Sequence, residues 1–209
     1  MKKSKNLMVI TTLCDLIPMV VGLILWNKLP SSMPVHFDFN GVANGFASKT
    51  LVVFGMPIFF ALVQFICLYF VSNDPKKENI GAKMLGAVAW LFVAITNITC
   101  LCIYGIALGY NLSMNLLVTL LLGFVFIIFG NYMGKNHQNY TVGIRLPWTL
   151  HSQANWNQTH RLASKIWMIC GIIIIGCGIF NQMYLMCAIM IAMIIIPIVY
   201  SFLLYKKGI

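Results

Sequence analysis

The chain has 209 residues, of which 60% are hydrophobic and only 9% charged, and its net charge is +10. Soluble domains carry charge on about a quarter of their residues, so this composition excludes a water-exposed globule and points to lipid as the solvent. The positive charge is spread over several segments rather than gathered on one surface. It therefore reads as a topology signal and an attraction to anionic membrane lipid, with no direct nucleic-acid partner.

A spanning helix needs about 20 mostly apolar residues. Six runs qualify: residues 7–26, 51–71, 84–109, 116–133, 166–180 and 184–205. The fifth is short and is expected to begin inside the polar stretch before it. The reading is an all-α integral membrane protein, a bundle of about six transmembrane helices. A small extracellular flap or hairpin and a cytoplasmic interfacial helix complete it. Two regions are expected: a two-helix region at 1–83 with an outer loop at 27–50, and a four-helix region at 84–209 with an inner loop at 134–165.

The first run follows Met-Lys-Lys-Ser-Lys, but it is too long for a signal-peptide core, it contains Asp15 and Pro18, and no small-residue cleavage site follows. Asp15 is the only acid well inside a span. Buried charge in lipid is costly, so Asp15 is either functional or structural glue. Gln64 and Asn97 are its candidate partners. Pro18, Pro57 and Pro197 are expected to kink their helices.

In the outer loop, Val35, Phe37 and Phe39 alternate with His36, Asp38 and Asn40, the period of a half-buried strand. Asn40-Gly41 predicts a tight turn, and Asn44-Gly45 a second. His36 and Asp38 would point the same way, but two ligands do not make a metal site. A hydrogen-bonded loop or a recognition surface is the expected role, with no metal and no cofactor. Further on, Gly105–Gly109 and Gly130–Gly134 have the small-xxx-small spacing of close helix contacts. The seven cysteines all fall in predicted spans and read as small apolar filler.

Basic residues set the orientation. With a cytoplasmic N-terminus, twelve Lys and Arg fall on inner segments and only Lys28 and Lys49 on outer ones. Both termini and the stretch 141–161 are then cytoplasmic. That stretch, TVGIRLPWTLHSQANWNQTHR, holds both arginines of the chain. Residues 152–167 read as a helix capped by Thr149 or Ser152. Trp156, His160, Ala163 and Trp167 share one face and Arg161 and Lys165 the other, which suits a helix lying at the interface. Gly143, Pro147 and Trp148 shape the approach to it. Arg145 has the fork to pair with a phosphate, a carboxylate or a row of carbonyls, and a bound partner or a rigid internal network is preferred to a passive anchor.

NYTVGIRLPWTLHSQANWNQTHRLA resembles the signature of the SdpI family, G-x-R-T-x-W-T-L followed by W-x-x-x-H-R. LPSSMPVHFDFNGVANGFASK is similar to the short uncharacterised domain found at the N-terminus of the same proteins. Gly143, Arg145, Trp148, Thr149, Trp156, His160 and Arg161 carry the second match; Pro34, His36, Asn40, Gly41 and Gly45 carry the first. Leu146 stands where the family has Thr, Asn155 where an acid is common, and Ser164 where Gly is usual. The resemblance implies a non-enzymatic bacterial membrane protein of the sporulation-delaying-protein immunity type. Such a protein gives resistance to a secreted toxic peptide met on the outer face, and holds a cytoplasmic repressor at the membrane. The alternatives are a small transporter or channel using Asp15, and a membrane enzyme acting on a lipid-linked substrate through His160, Arg145 and Arg161. The enzyme ranks last, because the inner loop contains no Asp, Glu or Cys.

Overall fold

The computed structural model describes residues 2–209, with side chains from Lys5 onward; the side chains of Lys2 and Lys3, part of the predicted inner charge set, lie outside the described residues. Six helices are long and apolar enough to cross a membrane: Lys5–Ile24, Leu51–Ser72, Ala82–Ala107, Met114–Met133, Gln153–Ile179 and Met183–Lys206. Large apolar side chains on their surfaces, such as Ile24, Phe59, Ile172 and Ile194, face outward, as helices solvated by lipid require. The protein is an all-α, multi-span membrane protein with one two-stranded sheet among the described residues.

Each proline in a span removes a backbone bond, and in hydrocarbon the freed carbonyl must find another donor. Pro18 separates α1 (Lys2–Asp15) from α2 (Ile17–Ile24). It cannot donate to Cys14, whose carbonyl instead accepts from Asn97 Nδ2 at 3.1 Å. Asn97 is therefore a backbone patch rather than the partner of Asp15 that its position suggested. A π-helical turn, Leu51–Gly55, changes the backbone register just ahead of Pro57 at the start of α3 (Met56–Ser72). Pro197 lies within an uninterrupted α8 (Met183–Lys206), where the freed carbonyl of Met193 accepts from Trp167 Nε1 at 3.1 Å.

Between α2 and α3, β1 (Ser32–Phe37) and β2 (Ala43–Ser48) form the expected hairpin. Its turn is at Asn40-Gly41, with Gly41 at φ +79°. Asn44-Gly45 is not a second turn: it lies in β2, where the flat face of Gly45 takes His36 against it. Lys49 fixes the hairpin to the end of α2, donating to the carbonyls of Trp26 (2.9 Å) and Leu29 (3.1 Å). Asn115 Nδ2 holds the tip through the Phe39 carbonyl at 3.0 Å.

The remaining long helices are α4 (Ala82–Ala107), α5 (Met114–Met133) and α7 (Gln153–Ile179), with a one-turn α6 (Pro147–His151) between the last two. The chain divides into two compact units, Met1–Tyr69 with Val88–Leu117, and Phe70–Ala87 with Val118–Ile209. Met33, Val52, Val53, Cys100 and Tyr104 form the core of the first; Ile174, Cys177, Met186 and Met193 that of the second. All seven cysteines are free. In the second unit α5 and α7 meet along a seam of small residues. Gly171 faces Gly123, Gly178 faces Thr119, and Ser164 Oγ donates to the Gly130 carbonyl at 2.6 Å. Gly134 also packs on Ser164, so 130–134 is a helix contact as its spacing suggested. Gly105–Gly109 is not. Gly109, at φ +91°, terminates α4, with the amide of Tyr110 returning to the Gly105 carbonyl at 3.0 Å.

The separate interfacial helix expected near 152–167 is the first part of α7, which continues unbroken to Ile179. Ser152 is its N-cap, accepting from the amide of Asn155 at 3.2 Å. Thr149 instead braces the start of α6, its hydroxyl bonded to the backbone of Ile144 and Leu146.

Candidate functional site

In the second unit, residues 134–152 fold back onto the first turns of α7. Trp156 and His160 are one turn apart and stack with ring centroids 3.8 Å apart and planes 19° off parallel. Both are fully buried, so Trp156 packs inside the protein instead of facing outward as the anchor of an interfacial helix would. The pair forms a flat floor, and Gly143 lies on it. A Cβ there would strike His160 Nε2 and come within 3.0 Å of the indole. Its φ of +131° also disfavours any side chain. Glycine is required twice over.

The amide of Ile144 then donates to His160 Nε2 at 2.9 Å, and His160 Nδ1 lies 2.8 Å from the carbonyl of Trp156. An amide can only donate and a carbonyl only accept. The ring is thus the neutral tautomer with its proton on Nδ1. Trp156 Nε1 reaches the Asn136 carbonyl at 2.9 Å, tying the end of α5 to α7. Thr149 Oγ1 accepts from the amide of Leu146 (2.8 Å) and lies 2.9 Å from the Ile144 carbonyl. Leu146 itself offers no side-chain cap, so α6 starts from Pro147 at its first position and from the Thr149 hydroxyl on the Leu146 amide. Trp148 Nε1 donates to Ser201 Oγ at 3.0 Å, with its ring stacked on Tyr205. Asn155 Nδ2 donates to the carbonyls of Ser201 and Ile209, and its Oδ1 accepts from Thr159. A carboxylate at 155 would set oxygen against oxygen there.

The acid that organises the loop comes from outside it. Asp74, 3% exposed, accepts from the Tyr140 amide (2.9 Å) and the Thr141 hydroxyl (2.7 Å) through Oδ2. Its Oδ1 accepts from the Lys76 amide at 2.7 Å. Lys76 Nζ reaches Gln138 Oε1 at 3.0 Å, and Gln138 Nε2 reaches the carbonyls of Thr149 and Leu150. Asn139 Oδ1 takes the amides of Thr141 and Val142. Sequence reasoning assigned no role to Asp74, Gln138 or Asn139. The available signal was Asp74-Pro75, an acid with turn chemistry inside an otherwise basic connection.

Of the predicted residues, this arrangement gathers Gly143, Arg145, Pro147, Trp148, Thr149, Trp156 and His160 into one folded loop. Arg145 is exposed at its edge and donates to the Tyr140 carbonyl at 2.6 Å. Arg161 is exposed on α7 and has no bonded partner among the described residues. The loop presents cationic forks on a rigid support. Both His160 nitrogens and the Asp74 carboxylate are already bonded inside it, while His137 and His151 are exposed on its surface.

The other predicted residues lie in the first unit. Asp38 Oδ1 accepts from the amides of Asn40 and Val42 and so stabilises the hairpin turn. His36 Nδ1 pairs with Asn44 Oδ1. Asp15 is fully buried with Thr11, Gln64 and Thr96. The Gln64 amide, oriented with its nitrogen toward the Asp15 carboxyl, takes the Thr11 hydroxyl on its oxygen at 2.6 Å. Gln64 is thus the predicted partner. No group of three or more His, Cys, Asp or Glu side chains that could hold a metal occurs among the described residues.

The profile of the SdpI/YfhL protein family matches residues 135–201, and that of a domain of unknown function, DUF1648, matches residues 16–61. The first covers the folded loop, α6, α7 and most of α8; the second covers α2, the hairpin and the start of α3. Immunity protein SdpI of Bacillus subtilis (strain 168) is 30% identical over 209 residues, covering 98% of this chain and 97% of that protein. No solved structure matches. With Gly143, Trp156 and His160 locking the family motif into a single folded unit, and a relative aligned end to end, the chain belongs to the SdpI/YfhL protein family.

Proposed function

We propose that this protein is a non-enzymatic immunity protein of the bacterial cell membrane, giving resistance to a secreted toxic peptide. The end-to-end similarity to a protein named for immunity supports the class. The single structural observation that carries the reading is the internally bonded loop. The buried His160 and the triply bonded Asp74 are spent on holding the loop together rather than on acid–base work, while Arg145 and Arg161 remain outward. Such a surface suits binding. Arg145 and Arg161 meet a cytoplasmic partner, a repressor protein in the signalling form of this reading. The hairpin bearing His36, Asp38 and Asn40 meets the peptide on the outer face.

The test is survival. Sensitive cells expressing the chain are challenged with culture supernatant from the strain that carries the gene. At least tenfold higher survival than the empty-vector control is expected. Equal killing, with the protein present in the membrane fraction, would sink the proposal. Arg145→Ala with Arg161→Ala is expected to abolish capture of the partner without changing membrane levels.

A further inference from the structure

Asp15 lies midway along the candidate span Lys5–Ile24 and is fully buried. Thr11 on its own helix, Gln64 on α3, and Thr96 and Cys100 on α4 face it, all of them buried. None is a cation. No Lys, Arg or His occurs in residues 7–27, 50–72 or 84–107. Asp38 and Asp74 accept from backbone amides, but no backbone amide donates to the Asp15 carboxyl among the described residues. A lone carboxylate in hydrocarbon is costly, and a carboxylic acid avoids that cost.

The Gln64 amide can meet this carboxyl in two ways. With its nitrogen toward Asp15 and its oxygen on the Thr11 hydroxyl, it serves a carboxylate. Turned over, its oxygen meets the Asp15 carboxyl. Nε2 then has two acceptors, the Thr11 hydroxyl oxygen at 2.6 Å and the Ala89 carbonyl at 3.4 Å. The Thr11 hydroxyl in turn donates to the Leu7 carbonyl at 2.9 Å. In this second arrangement two oxygens face each other between Asp15 and Gln64, so Asp15 must supply a proton. The Thr96 hydroxyl is an independent sign. It is fully buried beside the carboxyl and has no bonded partner. A carboxylate would draw that donor in, because a hydrogen bond to a charged acceptor is the stronger kind.

From this geometry we infer that Asp15 is a proton-binding site whose proton sets the orientation of the Gln64 amide. While the proton is held, Asp15 donates to Gln64 Oε1, and Nε2 ties α3 to Thr11 on α1 and to Ala89 on α4. When the proton leaves to solvent, the carboxylate takes Nε2 and the bond to the Ala89 carbonyl is given up. Because the carboxyl is fully buried, exchange waits on a local opening of α1 from α3. One proton thus makes or breaks a bond between helices in the interior of the first unit.

The experiment is an infrared difference spectrum of the full chain in neutral detergent at neutral pH, wild type minus Asp15→Asn. The chain has four acidic residues in all, so the carboxyl region is sparsely filled. A protonated-carboxyl stretch present in the wild type and lost in Asp15→Asn is expected. Loss of a carboxylate band instead would overturn the proposal. Asp15→Asn still offers a neutral donor to Gln64, so its thermal midpoint should match the wild type. In the wild type alone, aspartate carrying heavy carbon at its side-chain carboxyl should move the same stretch to lower frequency, and an unmoved stretch would overturn its assignment to aspartate. Gln64→Met keeps the side-chain length and removes the acceptor. It should move the stretch to higher frequency, and an unchanged position would overturn Gln64 as the group that takes the proton's hydrogen bond.

Discussion

Gly143 and Asp74 show how single residues hold a polar loop in shape. Gly143 combines a left-handed backbone with direct contact on the Trp156–His160 floor. Gly143→Ala should therefore cost about 2–4 kcal/mol, from backbone strain and overpacking together. Asp74→Ala leaves two amides and a hydroxyl without their acceptor, each worth about 1–3 kcal/mol when buried. Limited proteolysis of the purified protein should show both variants cut between residues 134 and 146 at least tenfold faster than the wild type. Unchanged cleavage would mean that the loop is held by other contacts. The remaining acid of the inner segments, Glu78, forms no ion pair among the described residues, and no comparable effect is expected from its removal.

At the scale of the helices, the recurring problem is a proline in an apolar medium. Two of the three span prolines have a side chain from a neighbouring helix bonded to the carbonyl they free: Asn97 to Cys14, and Trp167 to Met193. If that is why Trp167 points where it does, its bond should matter only while Pro197 is present. Trp167→Phe is expected to cost about 1–2 kcal/mol in the natural background. In a Pro197→Ala background, where the residue 197 amide can return to Met193, the cost should fall below about 0.5 kcal/mol. A coupling near 1 kcal/mol in this double-mutant cycle, read from unfolding in detergent, would bear this out. Additive costs would show that Trp167 acts by packing alone, against Phe126, for example.

For the whole molecule, the charge distribution is the observation that bears on orientation. We propose, from an even number of candidate spans and the strong basic bias, that both ends of the chain are cytoplasmic. On that topology the folded loop is cytoplasmic and the hairpin is external. A fluorescent protein fused after residue 150 should therefore be bright, and a periplasmic-type phosphatase fused there inactive. The same phosphatase inserted at residue 42 should be active. The reverse pattern would invert every assignment of partner to face.

The division between what was legible in the chain and what was not follows from the range of the forces involved. Span number, span position and the hairpin were readable because lipid selects continuous apolar runs, and a turn at Asn40-Gly41 is a local backbone preference. Gly143, Trp156 and His160 were legible as a spaced motif, and Ser152 as a cap. The sequence could not reveal that Trp156 is buried rather than interfacial, because a tryptophan at the edge of a span suits either place until the loop folds over it. Nor could it show that Asn97 serves Cys14, that Asn44-Gly45 is strand, or that Gly109 ends a helix. Asp74 is the clearest case: its partners are 66 and 67 residues away, and only packing brings them together. Local periodicity and hydrophobicity determined the spans by themselves, while the pairing of buried polar atoms, a long-range demand, was decided by the tertiary structure alone.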